Sequence, residues 1–243
     1  MMKFVYAGPS WAESSFDLPG SDAFNNPTNL AKEWQIPYSN LSAGGSTALN
    51  RVEAIKNHYD STSPIIFVYN EPIGDLTTVT GLQFSELIQR SDWLDIWKEC
   101  NQYCLNEINS IGRPVLLIGG HSDVIDCNYS NITVGHNSWQ RWLAEQSGMI
   151  TRKGKVNVKM DDGGSFSFRN CWGAEVIHRF MHEHPDISPS SEIVDSVWDM
   201  FFFWKQLEKA DLFFEVHPNK RATELYANFL LPVVTEFLEN NIK

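Results

Sequence analysis

The sequence predicts an α/β chain, a three-layer α/β/α sandwich around a five-stranded, mainly parallel sheet. Three observations carry that expectation. The runs Ile65-Ile66-Phe67-Val68-Tyr69 and Val115-Leu116-Leu117-Ile118 are continuously apolar, as in strands covered on both faces. Amphipathic stretches of helical period separate such runs. The resulting strand–helix alternation predicts parallel strands joined by right-handed crossovers.

Taken in order, a short apolar strand from Lys3 to Tyr6 breaks at Gly8-Pro9 and delivers Ser10 where the chain turns. A helical turn over Trp11–Ser15 would set Ser10 near a helix N-terminus, where outward N–H groups favour negative charge. Residues 17–27 read as loop, Thr28–Trp34 as a short helix and Ile36–Ser39 as a second strand ahead of Gly44-Gly45. Ser46 is expected to cap a helix from Thr47 to Tyr59 with Leu49, Val52 and Ile55 on one face. Pro64 opens the third strand, which stops at Asn70-Glu71-Pro72, and residues 72–90 read as a long loop with some local structure, a candidate part of the substrate cleft. The next helix, after Ser91 and up to about Asn109, aligns Trp93, Trp97, Cys100, Cys104 and Ile108.

Gly112 and Arg113-Pro114 precede the fourth strand, which ends in Gly119-Gly120-His121-Ser122-Asp123. Beyond it the pattern loosens. Ser138–Gln146 reads as a helix, residues 148–168 as a hairpin-like insertion, and Cys171–His182 as a further helix. Ser190 or Ser191 caps an aromatic helix reaching about Lys209, and Leu212-Phe213-Phe214 is expected to be the fifth strand. Pro218 opens a last helix bearing Leu225, Phe229, Leu230, Val233 and Phe237. There is no repeat, low-complexity tract or linker, so residues 1–243 read as one domain.

Composition narrows the function classes. Nineteen basic against 30 acidic residues leave a formal charge of -11, which repels phosphate backbones and anionic membranes. Nucleic acid is therefore not an expected partner. No apolar run has the length to span a bilayer. The first strand starts a few residues after Met1, which leaves no room for a signal peptide and predicts a cytoplasmic or otherwise soluble location. The cysteines Cys100, Cys104, Cys127 and Cys171 match neither a zinc ribbon nor a thioredoxin spacing and read as buried thiols.

In open α/β sheets chemistry collects at the carboxyl ends of the strands. Ser10, Gly45, Asn70 and His217 all fall just beyond expected strand ends. A serine hydroxyl needs a base to take its proton, and histidine has a suitable pKa. The oxyanion that follows attack needs donors: Gly45 offers a backbone N–H free of side chain, and Asn70 a side-chain amide. Each motif alone is also an ordinary turn, because Gly, Pro, Ser and Asn dominate turns. The ordered set is the signal.

That set resembles the SGNH hydrolase superfamily, the GDSL-type esterases. Gly8-Pro9-Ser10 is similar to its Gly-Asp-Ser block, with Pro9 in place of the aspartate. Asn40–Thr47 resembles the second block, whose oxyanion glycine falls on Gly45, and Val68-Tyr69-Asn70-Glu71 resembles the Gly-x-Asn-Asp block. Val216-His217-Pro218-Asn219 is the nearest match. The resemblance implies a flavodoxin-like SGNH fold and an esterase without cofactor or metal. Ser10 would be the nucleophile, His217 the base, and Gly45 and Asn70 the oxyanion hole. It further implies a small-molecule or glycan ester as substrate, such as an O-acetyl group. Where the family carries its aspartate, three residues before the histidine, stands Phe214. The orienting group is left among Glu215, Asp211 and a backbone carbonyl. An acyltransferase using the same residues, or a binding or assembly protein that kept the fold, are the alternatives.

Other signals rank lower. His178 and His182 sit four apart with His184 nearby, but the His-Glu-x-x-His order is missing. Asp161-Asp162-Gly163 lacks the calcium-loop spacing. No metal site is expected. His121, Ser122 and Asp123 are at most substrate contacts. The aromatic stretch Trp198–Trp204 reads as core, with a cleft lid or a subunit interface of a homo-oligomer as the other reading.

Overall fold

The computed structural model describes residues 3–9, 30–43, 46–69, 73–82, 86, 90, 92–120, 124, 127–146, 213–214 and 217–242. Five strands, β1 (Phe4–Ala7), β2 (Tyr38–Asn40), β3 (Ile65–Tyr69), β4 (Val115–Gly119) and β5 (Ile132–His136), form one sheet in the order β2-β1-β3-β4-β5. Every pairing in it is parallel. The α/β expectation is therefore met, with all carboxyl ends of the strands on one edge. No helix among the described residues is long and apolar enough to cross a membrane.

Both faces of the sheet are covered, which is why β1, β3 and β4 are apolar at every position. On one face Phe4, Tyr6, Ile66, Val68, Leu116 and Ile118 pack against α1 (Leu30–Glu33), α5 (Trp139–Gln146) and α6 (Lys220–Asn241). On the other, Val5, Ala7, Ile65, Phe67, Val115 and Leu117 pack against α2 (Ala48–Lys56) and α4 (Trp93–Asn109). Between α2 and α4 in the chain lies α3 (Ile73–Thr80). The α4 stripe falls as its period predicts, with Trp97, Cys100, Cys104 and Ile108 buried. After α4, Gly112 takes the left-handed conformation at φ 72°, which glycine adopts without strain as the helix gives way to β4.

Several expectations are corrected. The cap of α2 is Thr47, not Ser46: its hydroxyl accepts from Asn50 N at 3.2 Å, and the Asn50 side chain reaches back to Thr47. The local structure within residues 72–90 includes a regular helix, Ile73–Thr80, which the sequence reading does not specify. The fifth strand of the sheet is Ile132–His136. Phe213–Phe214 instead forms β6, paired antiparallel with β7 (His217–Pro218) in a separate two-stranded ladder. The last helix starts at Lys220 with Asn219 as its cap, so Pro218 precedes the helix rather than opening it. Leu230 and Phe237 are buried, Leu225 is exposed, and Phe229 is partly exposed while packing on His136 and Trp142. The insertion at 148–168, the helices expected at 171–182 and 190–209, and the histidines 178, 182 and 184 lie outside the described residues.

Candidate active site

Parallel pairing decides where the site segments emerge. Ala7, Asn40, Tyr69 and Gly119 end their strands on one edge of the sheet. Hydrogen bonds carry the pairing past those ends. Leu41 N donates to Tyr6 O at 2.8 Å, Ala43 N to Gly8 O at 3.2 Å, and Gly120 N to Tyr69 O at 2.8 Å. Gly8 and Pro9 are buried. The segment entering Ser10 is thus tied to the segment entering Gly44-Gly45, and the end of β3, immediately before Asn70, is tied to the end of β4. Ser10, Gly44, Gly45, Asn70 and His121–Asp123 themselves lie outside the described residues.

His217 is described through its backbone, as the register partner of Phe214 in the β6–β7 ladder. Glu215 and Asp211 lie outside the described residues. Two residues later Asn219 caps α6, its side-chain oxygen accepting from Ala222 N at 3.0 Å. The position of α6 then fixes which edge this turn approaches. Tyr226, in its second turn, shares a 3.1 Å hydrogen bond with Nδ1 of His136, the last residue of β5. Val233, two turns on, faces Gly135 where that glycine meets Leu116, near the start of β4. The helix therefore runs antiparallel to the strands, and its amino end, with the His217 turn before it, lies towards their carboxyl edge. Burial lowers the pKa of His136, partly opposed by a hydrogen bond with the Ser138 backbone.

Beneath this edge lie two buried charged residues that the sequence reading passes over. Arg51 and Asp75 are each 2% exposed. The Asp75 carboxylate, on α3, accepts from Ala48 N and Leu49 N at 2.9 Å each, at the amino end of α2. Arg51 donates from Nη1 to Ser46 O at 3.0 Å and lies 5.1 Å over the Phe67 ring. Its Nε has no hydrogen-bond partner. Burial lowers the guanidinium pKa to about 10, with the charge of Asp75 the first of the groups opposing that fall, so it stays cationic at neutral pH. One signal was available: Arg51 falls within the apolar stripe Ala48, Val52 and Ile55, where a charge needs a buried partner. Asp75 gives no such signal, because its segment carries no helical pattern that would mark it as buried.

Tyr69 donates from its hydroxyl to Asn101 at 2.7 Å, adding a second buried polar contact below the end of β3. Cys100 and Cys104 are buried thiols; a hydrogen bond with Cys100, then burial, pushes the Cys104 thiol far above its ordinary range. Among the described residues no group of three or more His, Cys, Asp or Glu side chains is placed to hold a metal ion.

Comparison with known proteins adds little to this geometry. No protein-family model matches the sequence, and no curated protein matches it. The solved structure of protein YxiM from Bacillus subtilis aligns with 97% of this chain at 13% identity and a TM-score of 0.39. The chain spans 57% of the length of that structure. A likeness at this level assigns neither family nor activity.

Proposed function

We propose that this chain is a serine hydrolase of the SGNH type that cleaves a carboxylic ester, a small acyl group such as acetate on a sugar or similar carrier being the substrate we favour. The observation that carries the reading is the hydrogen bond from Ala43 N to Gly8 O, which joins the segments leading to Ser10 and Gly45 at the carboxyl edge of the sheet. Asn70 is the next residue in the chain after Tyr69, which ends β3 on that edge, and His217, two residues before the Asn219 cap of α6, pairs with Phe214.

In this reading the Ser10 hydroxyl oxygen attacks the ester carbonyl carbon while His217 accepts the hydroxyl proton. The tetrahedral oxyanion is held by the N–H groups of Ser10 and Gly45 and by the Asn70 amide. Collapse breaks the bond to the alkoxy oxygen, which leaves as the alcohol with the proton from His217. Water, deprotonated by His217, then releases the carboxylic acid from the acyl-enzyme. Transfer to a second alcohol in place of water uses the same residues.

One observation favours a second reading. Phe214 is the register partner of His217, at the position where SGNH enzymes carry their orienting aspartate. Loss of the orienting acid costs about 10⁴-fold in a triad enzyme. A chain with that loss and no replacement would serve as a binding or assembly protein.

The deciding experiment measures hydrolysis of p-nitrophenyl acetate and butyrate by wild type, Ser10→Ala and His217→Ala. Activity lost in both variants, with unchanged circular dichroism, is the expected result. Equal rates in all three, together with no fluorophosphonate labelling of Ser10, would move the assignment to the binding protein.

A further inference from the structure

We propose that Asp75 and Arg51 are positioning residues that hold the two oxyanion-hole segments, at Gly45 and Asn70, in fixed register; this rests on the esterase reading above. Asp75 belongs to α3, the helix that follows Asn70 by a few residues, yet its carboxylate is spent on the amino end of α2, the helix that follows Gly45. One buried side chain therefore connects the element after one proposed donor to the element after the other.

A purely local role for this carboxylate would be redundant. The α2 helix already has its own cap in Thr47 and Asn50, which satisfy each other's backbone N–H groups. Asp75 takes two further amides, and it does so as an almost fully buried acid, an expensive placement when a helix end can be solvated by water. Burying a charge to tie two elements together is one way proteins specify a single arrangement.

Arg51 completes the brace from the other side. It donates to Ser46 O, while Ser46 donates from N and from Oγ to Ala43 O at 3.2 and 2.6 Å. The residues before and after Gly44-Gly45 are thereby drawn together. Ala43 is in turn bonded to Gly8 O. The hydrogen bonds at Gly8, Ala43, Ser46 and Arg51 thus join the Ser10 segment to α2, and those of Ala48 and Leu49 with Asp75 carry the connection on to α3.

Oxyanion-hole donors act in proportion to how well they are preset. Removing one costs about 10²–10³-fold in kcat, and displacing a reacting group by about 1 Å costs on the order of 10²-fold. Asp75→Asn, which keeps one acceptor oxygen but removes the charge, is expected to lower kcat for p-nitrophenyl acetate by about 10–100-fold with KM within about threefold. Labelling of Ser10 by a fluorophosphonate should slow in parallel, because the phosphonyl oxygen uses the same donors. Arg51→Met should fall by a similar factor, and Arg51→Lys, which retains a donor for Ser46 O, should recover part of it.

Ser46→Ala removes a contact from a partly exposed side chain and serves if the buried variants do not fold. It is expected to lose about 3–10-fold in kcat, again with little change in KM. A folded Asp75→Asn with kcat within twofold of wild type would overturn the proposal. So would an unchanged Ser46→Ala where the Asp75 and Arg51 variants fail to fold, and so would a loss seen only in KM. Failure of the esterase reading is read separately: wild type matching Ser10→Ala, with Ser10 unlabelled, overturns both whatever the Asp75 variants do.

Discussion

Gly135 offers the sharpest test of how α6 is seated on the sheet. In β5, Val134 pairs with Leu117 and His136 with Ile118, so Gly135 is the extra residue of a bulge. A regular strand would turn Val134 and His136 to the same face. With the bulge, Val134 packs with the α2–α4 side while His136 meets Tyr226 and Phe229 on α6. A Cβ on Gly135 would lie 2.9 Å from Leu116 Cδ1, 3.2 Å from Leu116 Cγ and 3.4 Å from Val233 Cγ1.

Carbon atoms pack best at about 3.5–4.0 Å, so Gly135→Ala forces Leu116 to retreat by roughly 0.6–1.1 Å. Leu116 is fully buried and has little room to do so. Overpacking of this kind costs about 1–3 kcal/mol, and the lower chain entropy of alanine in a strand offsets about 0.5–1. The mid-range net expectation is a loss of about 1 kcal/mol, or roughly 2–4 °C in Tm for a chain of this size. Urea unfolding followed by tryptophan fluorescence measures it, in a cycle with Leu116→Ala. Removing Leu116 beyond Cβ should abolish the penalty, giving a coupling of about 1–2 kcal/mol where independent sites would add to within about 0.5. An unshifted Gly135→Ala, or an additive cycle, would refute the packing argument.

Two further predictions concern pH. Burial works against the charge of Asp60, but a hydrogen bond from Lys3 at 2.8 Å and donors from Ser63 and Thr62 outweigh it and hold its pKa far below the usual carboxylate range. The unfolded chain therefore takes up this proton first, so the stabilisation is complete above about pH 4 and fades as pH falls below it. Urea midpoints from pH 6 to 3 should drop more steeply for wild type than for Asp60→Asn, and parallel curves would count against it. His136, lowered by burial, favours its neutral form when folded, so its contribution is full above about pH 6.5 and is lost as pH falls through the lower folded value. Its NMR titration midpoint should lie below that of a free histidine, and Tyr226→Phe, which deletes the hydrogen bond to Nδ1, should cost about 1 kcal/mol at pH 7.

What could be read from the chain alone was whatever local pattern dictates. Strands β3 and β4 were legible because burial on both faces makes every residue apolar, and α4 because one buried stripe repeats at helical period. Both signals lie within a dozen or so neighbouring residues. The order of turn residues after β1, β2 and β3 is equally local, and the site built on them stays a proposal, since Ser10, Gly45 and Asn70 lie outside the described residues.

The rest was decided by contacts between distant segments. Strand β5 escaped notice because it closes one side of the sheet, is mostly half-buried and is interrupted by its bulge, so no apolar run marks it. Phe213-Phe214 has such a run but pairs with its own neighbour, since pairing depends on which edge is open and not on composition. Helix α3 contains three threonines and a glycine, weak helix formers that tertiary packing overrides. The bond of Asp75 to Ala48 and Leu49 spans more than 25 positions with no motif at either end. Local sequence set the elements and the turn chemistry at their ends. Only the folded sheet decided which turns share an edge, because that depends on strand order, and strand order is a property of packing.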